Sequence, residues 1–394
     1  MTYKQLLTKH KIVRQLSAIQ FIAYFGAWFS NVAIYSMLVE YGASATIIAT
    51  VTAMHLLPGV ILSPFSGSFV DRLSVKPLML GLLFTEFTMT LCFLTIGSLD
   101  DVYMLLIFLF IRMGAASVFF TTEMTLLPKL VSGEALVKAN ELHSMIWSFT
   151  FTAGMAIGGI VVNLFGTDVS FMIDSLFFLI ALLILSQVDF KIKPKKITQN
   201  LLSSILDGLA YLKRNKDIFH YIFLHATVGL TAFDTLITLL ADFEYRYVLA
   251  IPLSIGLSNA TRALALMIGP MVITRWVTKS RLYYIFIAQG VAILLWAMLQ
   301  HNFYTALVGL FLTGFFTTTI WSYTYAMLQE KVEQNYLGRV LAYNEMFFML
   351  MNISTTFFIG FMATLVGLDT ITAILGGAFF GVAYYFKRVF LKDI

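Results

Sequence analysis

Apolar runs of membrane-crossing length recur along the whole chain, and nothing else about it restricts the fold so tightly. A helix that crosses the hydrocarbon core needs about 20 mainly apolar residues. Such runs lie at 16–41, 44–70, 77–97, 102–128, 140–165, 168–188, 218–242, 253–276, 281–300, 304–328, 341–366 and 369–387. In lipid each backbone N–H and C=O must find its partner inside the segment or in a closed barrel, so runs of this length are read as helices. The expectation is an all-α polytopic membrane protein with twelve transmembrane helices. Composition agrees: 59% of the 394 residues are hydrophobic and 12% are charged, against about 25% charged in a soluble domain. There is too little polar surface to cover a soluble globule. A soluble enzyme, a nucleic-acid reader and a disordered scaffold are thereby excluded.

The basic residues test the count. With both termini in the cytoplasm, 23 of the 26 Lys and Arg fall on the inner side, as the positive-inside rule requires. Only Arg246 falls outside, and Arg112 and Arg262 lie deep within spans. The longest break, Asp189 to Asp217, carries seven of the basic residues and divides the chain into six spans and six spans. Leu201, Leu202, Ile205, Leu206, Leu209 and Leu212 place one apolar face at helical spacing in its second half, which suggests an amphipathic helix on the inner leaflet. The expected organisation is a half over 1–188, a linker over 189–217 and a second half over 218–394. A weak repeat supports two pseudo-symmetric six-helix halves. Leu127-Pro-Lys-Leu-Val131 leads to Asn140-Glu141 after span 4, and Leu328-Gln-Glu-Lys-Val332 leads to Asn344-Glu345 after span 10.

Several chemistries have no residues to support them. The single cysteine, Cys92, excludes an internal disulfide. There is no phosphate-binding GxxxxGK[ST] loop, no HExxH and no GxSxG element. His and carboxylate residues do not gather with metal-ligand spacing. No cofactor and no metal are expected. The basic N-terminal stretch up to Arg14 has no signal-peptide cleavage pattern, so the first apolar run is read as a retained span.

The loop after span 2 reads Gly67-Ser-Phe-Val-Asp71-Arg72-Leu-Ser-Val-Lys76-Pro77. It resembles the major facilitator signature between the second and third helices, with Gly67, Asp71, Arg72 and Lys76 matching and Ser74 and Val75 departing from it. Phe25-Gly-Ala-Trp28-Phe-Ser-Asn31, Leu56-Leu-Pro58, Leu127-Pro128-Lys-Leu-Val131, Asp207-Gly208 and Gly338-Arg339-Val-Leu-Ala342 are similar to the bacterial efflux branch that includes enterobactin exporters and macrolide efflux pumps. The resemblance implies a transporter whose helices 1, 4, 7 and 10 line a central cavity. It implies an inner-side gate of Gly67, Asp71, Arg72, Lys76, Glu123 and Arg339, in which Arg72 or Lys76 pairs with Glu123.

Ionisable side chains inside the bilayer are costly, about 2.5–3.5 kcal/mol each on insertion scales, and mark function by default. At 1.5 Å per residue, Arg112, Asp234 and Arg262 lie about 15, 12 and 13 Å from the outer end. Asp234 is read either as a protonatable coupling residue or as one half of a fixed pair with Arg262 joining helices 7 and 8. Arg112 stays charged. It would control a carboxylate, bind an anionic group or serve helix packing. Glu86 and Asp174 fall on spans that are peripheral in the implied fold and are read as structural. His225 lies nine residues from Asp234 on the same span and is read as a hydrogen-bonded core histidine. Tyr24, Trp28 and Asn31 on span 1, with Trp321, Tyr323 and Tyr325 on span 10, would line an aromatic cavity or simply pack.

Together these features suggest a secondary transporter in a bacterial inner membrane, working as a monomer by alternating access. The favoured activity is proton-driven export of a small amphiphilic substrate, a siderophore or drug. The alternatives are carriage of a lysolipid or metal chelate, inward included, and a polytopic membrane enzyme.

Overall fold

Residues 2–190, 201–333 and 335–391 are described by a computed structural model of the chain, the side chains of 64, 66–72, 201–205 and 274 excepted. The helices run in the order α1 (Tyr3–Lys9), α2 (Lys11–Glu40), α3 (Ala45–Arg72), α4 (Val75–Cys92), α5 (Val102–Leu130) and α6 (Gly133–Ser186). They continue with α7 (Leu201–Arg214), α8 (Asp217–Ala226), α9 (Asp234–Phe243), α10 (Ile251–Ile273), α11 (Lys279–Leu299), α12 (Phe303–Lys331), α13 (Leu337–Met362) and α14 (Leu368–Phe390). There is no strand among the described residues.

Eleven helical stretches are long and apolar enough to cross a membrane. One of them makes two crossings. Helix α6 has 54 residues, about 80 Å at 1.5 Å per residue, against a hydrocarbon core of about 30 Å. It breaks at Gly166, where φ is 84° and ψ is 174°. Only a residue without Cβ takes that conformation readily. The two limbs of α6 are the fifth and sixth crossings, and α8 with α9 forms the seventh. Twelve crossings result, as the hydrophobic runs predict, with ends shifted by a few residues. An even number puts both chain ends on one side, called here the terminal face; the opposite side is the far face.

Where the apolar packing is continuous separates the two faces. On the far side one cluster joins both halves: Val32, Tyr35 and Val39 of α2 and Ile48 and Val51 of α3 belong with Leu236, Ile237 and Leu240 of α9, Ile255 of α10 and Ile359 of α13. On the terminal side the clusters stay within their halves. Ile19, Met79, Phe119, Phe178 and Leu185 make one in the first half, and Tyr211, Ile218, Leu328, Val340 and Tyr343 make another in the second.

Small residues let the halves meet closely at the far side. A Cβ on Gly256 of α10 would fall 2.6 Å from the carbonyl oxygen of Met155 on α6. One on Gly360 of α13 would fall 2.5 Å from Cβ of Ala49 on α3. Backbone approach of this kind is what drives helix association where lipid tails remove the hydrophobic contrast. Nearer the terminal face, Ser63 Oγ of α3 donates to the carbonyl of Ala342 on α13 at 3.0 Å.

Two short helices lie on the terminal face. Leu6 of α1 is buried with Val13, Leu127, Val131 and Ala139, and the Tyr3 hydroxyl donates to Glu141 at 2.8 Å. Helix α7 occupies the expected amphipathic stretch. Leu212 is buried against α12 and α13, while Leu206 and Leu209 are exposed, the arrangement of a helix with apolar residues left for an acyl boundary. The side chains of Leu201, Leu202 and Ile205 lie outside the described residues, as do residues 191–200 of the linker.

Candidate functional site

The seventh crossing is interrupted. Helix α8 ends at Ala226, a 3-10 turn covers Thr227–Thr231, and α9 starts at Asp234. Gly229 permits the turn to press on α13, where an added Cβ would lie 2.8 Å from the backbone N of Asn352. A break at membrane depth frees backbone groups that need partners. Arg262 of α10 supplies them. Its Nη2 donates to the Thr231 carbonyl at 3.1 Å, and its Nη1 lies 3.4 Å from Oδ2 of Asp234. The carboxylate of Asp234 also stands at the positive end of α9, and the Phe233 ring lies 5.7 Å from the guanidinium carbon. The next residue reaches the other half: Thr235 Oγ1 donates to Thr52 Oγ1 of α3 at 3.0 Å. Tyr35 of α2 stacks on His55 of α3 at 5.8 Å beside this seam.

Arg112 is engaged elsewhere. Its Nη2 lies 2.7 Å from Oδ2 of Asp174 on the second limb of α6, with both side chains buried. Ser30 of α2 donates to the same carboxylate oxygen. The rings of Phe93 and Phe178 lie 5.5 and 5.4 Å from the guanidinium carbon, which adds a cation–π contribution in a site without water competition. The carboxylate beside Arg112 is therefore Asp174, on a different helix from Asp234. Asp174 in turn holds an intramembrane cation.

At the terminal side, Glu123 of α5 is buried and accepts a hydrogen bond from the Tyr24 hydroxyl at 3.2 Å. It lines a crevice with Leu16, Ser17, Gln20, Leu127 and His143. Lys76 donates to the carbonyl of Ser186 at 2.7 Å, so it is not the partner expected for Glu123. The side chains of Gly67, Asp71 and Arg72 lie outside the described residues. Arg339 pairs with Asp207 of α7 at 2.5 Å. Gly208 lets α7 approach, since a Cβ there would lie 3.2 Å from Cβ of Arg339.

The aromatic candidates form one group per half. In the first, Trp28 packs on Phe151 at 4.3 Å and edge-on to Trp147 at 6.1 Å, while Tyr24 meets His143 at 6.4 Å. In the second, Trp321 stacks on Tyr325 at 5.0 Å, and both lie 5.4 Å from His225. His225 Nδ1 is 2.9 Å from Thr324 Oγ1. Tyr323 is half-buried against the large cluster rather than within this group. Trp28 Nε1, Asn31 Oδ1, His143 Nε2 and His225 Nε2 are buried without a hydrogen-bond partner. Buried polar atoms are rarely left so, and three of these, on Trp28, His143 and His225, belong to the two aromatic groups. His143, Trp147 and Phe151 are absent from the sequence-based candidates. Their signal was there, in residues spaced by four on one face of the fifth span. No group of His, Cys, Asp and Glu suited to a metal occurs among the described residues.

Twelve crossings, a broken helix carrying charge at depth and two halves sealed at one face define a transporter-type membrane protein rather than an enzyme with a cluster at one surface. The sequence profile of the Major Facilitator Superfamily matches residues 16–299. The chain belongs to that superfamily. It is a multi-pass membrane transporter of small molecules, and the enzyme alternative falls. It is similar to macrolide efflux protein A of Streptococcus pyogenes, 23% identical over 79% of each chain. It is similar also to the staphyloferrin A transporter of Staphylococcus aureus, 21% identical over 82% of each. In fold it resembles the nucleoside transporter NupG, with a TM-score of 0.74 at 14% identity over 96% of this chain and 99% of that one. A bacterial homologue of the iron transporter ferroportin in its inward-facing state gives a TM-score of 0.74 at 15% identity, over 96% and 98%.

Proposed function

We propose that the chain exports a small amphiphilic compound, a drug or siderophore, and is driven by protons. Export proceeds by alternating access, the halves 1–188 and 218–394 rocking about the cavity between them, with 189–217 as the tether. The observation that carries this is the asymmetry of packing. One apolar cluster bridges the halves at the far face, and separate clusters serve each half at the terminal face. Apolar packing across the halves is thus continuous on the far side, while on the terminal side Ser63 bonds to Ala342 without such a cluster, an asymmetry that one extreme of a rocking cycle would have. The concentration of basic residues supports a cytoplasmic terminal face in a bacterial inner membrane. The aromatic groups around Trp28 and Trp321, with their unpartnered polar atoms, suit a large ligand with a few hydrogen-bonding groups. The names of the efflux and staphyloferrin relatives support the substrate class.

In this scheme Asp234 couples protons to movement. Neutralising it releases Arg262 at the seam where Thr235 meets Thr52, and the far face opens. The protein acts as a monomer. The test is efflux of preloaded fluorescent amphiphiles from cells lacking their major drug pumps, with and without a protonophore. Efflux that the protonophore abolishes is expected. Efflux that survives it would remove proton drive. No efflux of any dye from folded protein would favour a dedicated chelate or lysolipid carrier.

A further inference from the structure

Two hydrogen bonds, one in each half, are related by the internal repeat. The Tyr24 hydroxyl of α2 donates to Glu123 of α5 at 3.2 Å, and His225 Nδ1 of α8 lies 2.9 Å from Thr324 Oγ1 of α12. Each joins the first and fourth crossings of its half, and each spans 99 residues. One register maps Leu127 on Leu328, Val131 on Val332, Tyr24 on His225 and Glu123 on Thr324. Depth agrees: Glu123 lies as far before Leu130, the end of α5, as Thr324 before Lys331, the end of α12, about 10 Å at 1.5 Å per residue. Halves repeated about an axis along the membrane normal place such equivalents on facing walls of the space between them.

Both pairs present acceptors. Thr324 Oγ1 donates its one hydrogen to the Ile320 carbonyl at 2.8 Å, so it accepts from His225 Nδ1–H. In a neutral ring Nε2 is then a bare acceptor. His225 is 0% exposed, and its Nε2 has no partner. The rings of Trp321, Tyr325 and Phe348 enclose it at 5.4, 5.4 and 5.6 Å. Those rings are themselves half-buried, so the enclosure borders accessible space. Glu123 lines its crevice with Gln20 and His143, and among the described residues its carboxylate bonds the Tyr24 phenol alone.

We propose that His225 Nε2 and the Glu123 carboxylate are two contacts of one substrate site, and that the substrate is an aromatic cation carrying a neutral N–H or O–H donor. The donor bonds Nε2 beside the stacked rings of Trp321 and Tyr325, whose faces suit a flat, delocalised ring system. The cation pairs with Glu123, since a buried carboxylate requires a positive partner. The same carboxylate repels a carboxylate-rich chelate, so the drug class is selected over the siderophore. This rests on the reading of the chain as an exporter of amphiphiles.

The test is equilibrium binding of three dyes to the full chain in lipid nanodiscs, read by fluorescence polarisation. Rhodamine 6G is a cation with N–H groups, tetramethylrhodamine ethyl ester is a cation with none, and fluorescein is an anion. Rhodamine 6G is expected to bind about tenfold or more tightly than fluorescein, a comparison that needs no variant. Glu123→Gln weakens rhodamine 6G by about tenfold and strengthens fluorescein, a gain that poor folding cannot mimic. His225→Asn keeps a donor for Thr324 but lacks Nε2. It weakens rhodamine 6G about twofold to tenfold, the worth of one hydrogen bond, and leaves tetramethylrhodamine ethyl ester unchanged. Rhodamine 6G binding no tighter than fluorescein, or equally well to Glu123→Gln and the wild type, would overturn the cation contact. Equal effects of His225→Asn on the two rhodamines would overturn the His225 contact. Binding as expected without export of the dye from cells would support the site and remove the export reading.

Discussion

Arg262 holds Asp234 and, with its other nitrogen, the carbonyl of Thr231 three residues earlier. One guanidinium therefore closes a helix break and neutralises the carboxylate that begins the next helix. The ion pair is long and partly exposed, the side chains being 14% and 32% accessible. Its length and exposure suit the release proposed for it, whereas the hydrogen bond to Thr231 is a structural need of the backbone.

The two ends of this contact are expected to separate on mutation. Asp234→Asn leaves Arg262 on the Thr231 carbonyl, so thermal stability changes little while proton-dependent efflux falls. Arg262→Ala strands both the carbonyl and the carboxylate and costs about 1–3 kcal/mol, the range for a buried acceptor left unpaired. A thermal unfolding series in detergent checks the order. Equal losses would show that the ion pair, not the backbone bond, supplies the stability.

The Arg112–Asp174 pair is buried and short, and a different pattern is expected. Arg112→Met leaves carboxylate without any cation and costs about 3–5 kcal/mol, as for other buried pairs broken on one side. Arg112→Met combined with Asp174→Ala recovers much of this, because no lone charge at that position remains. Asp174→Asn alone costs less than Arg112→Met, since the amide oxygen still accepts a hydrogen bond from the guanidinium. The same unfolding assay on the three variants decides it.

The far-face seal depends on residues without side chains. Gly360→Val would place atoms against Ala49 and Ala45, and overpacking of this kind costs about 1–3 kcal/mol. The cost falls on the closed state, so the population shifts towards far-face opening by roughly 5- to 150-fold. Thr52→Cys, introduced as a reporter on the seam, is expected to react faster with a membrane-impermeant maleimide in the Gly360→Val protein. An unchanged labelling rate would mean that this contact does not hold the face shut.

Much of this was legible in the sequence, for a physical reason. Each crossing must supply about 20 apolar residues, and the Lys and Arg sort by side, so the twelve helices could be counted. Depth along a helix is equally plain at 1.5 Å per residue, which brought Asp234 and Arg262 to one level. Rotation about the helix axis is not so readable. Arg112 lies at that level too, yet its direction is set by packing among α2, α4 and α6, and it turns to Asp174. The break at Thr227–Thr231 was hidden because Thr-Val-Gly-Leu-Thr reads as part of an apolar run, and only Gly229 hinted at it. The gate motif drew attention to Lys76, but Ser186 at the end of the sixth crossing offers a closer acceptor than Glu123.

In the proposed cycle the far-face seal between the halves opens at every turnover. Thr52 and Thr235 face each other across it with hydroxyls 3.0 Å apart, a separation compatible with a disulfide once both are cysteine. The direct measurement is amphiphile efflux by Thr52→Cys/Thr235→Cys in a Cys92→Ser background, oxidised and then reduced. Oxidation is expected to stop efflux and reduction to restore it, with each single cysteine variant indifferent to both. Undiminished efflux from protein shown to be fully cross-linked would contradict the account.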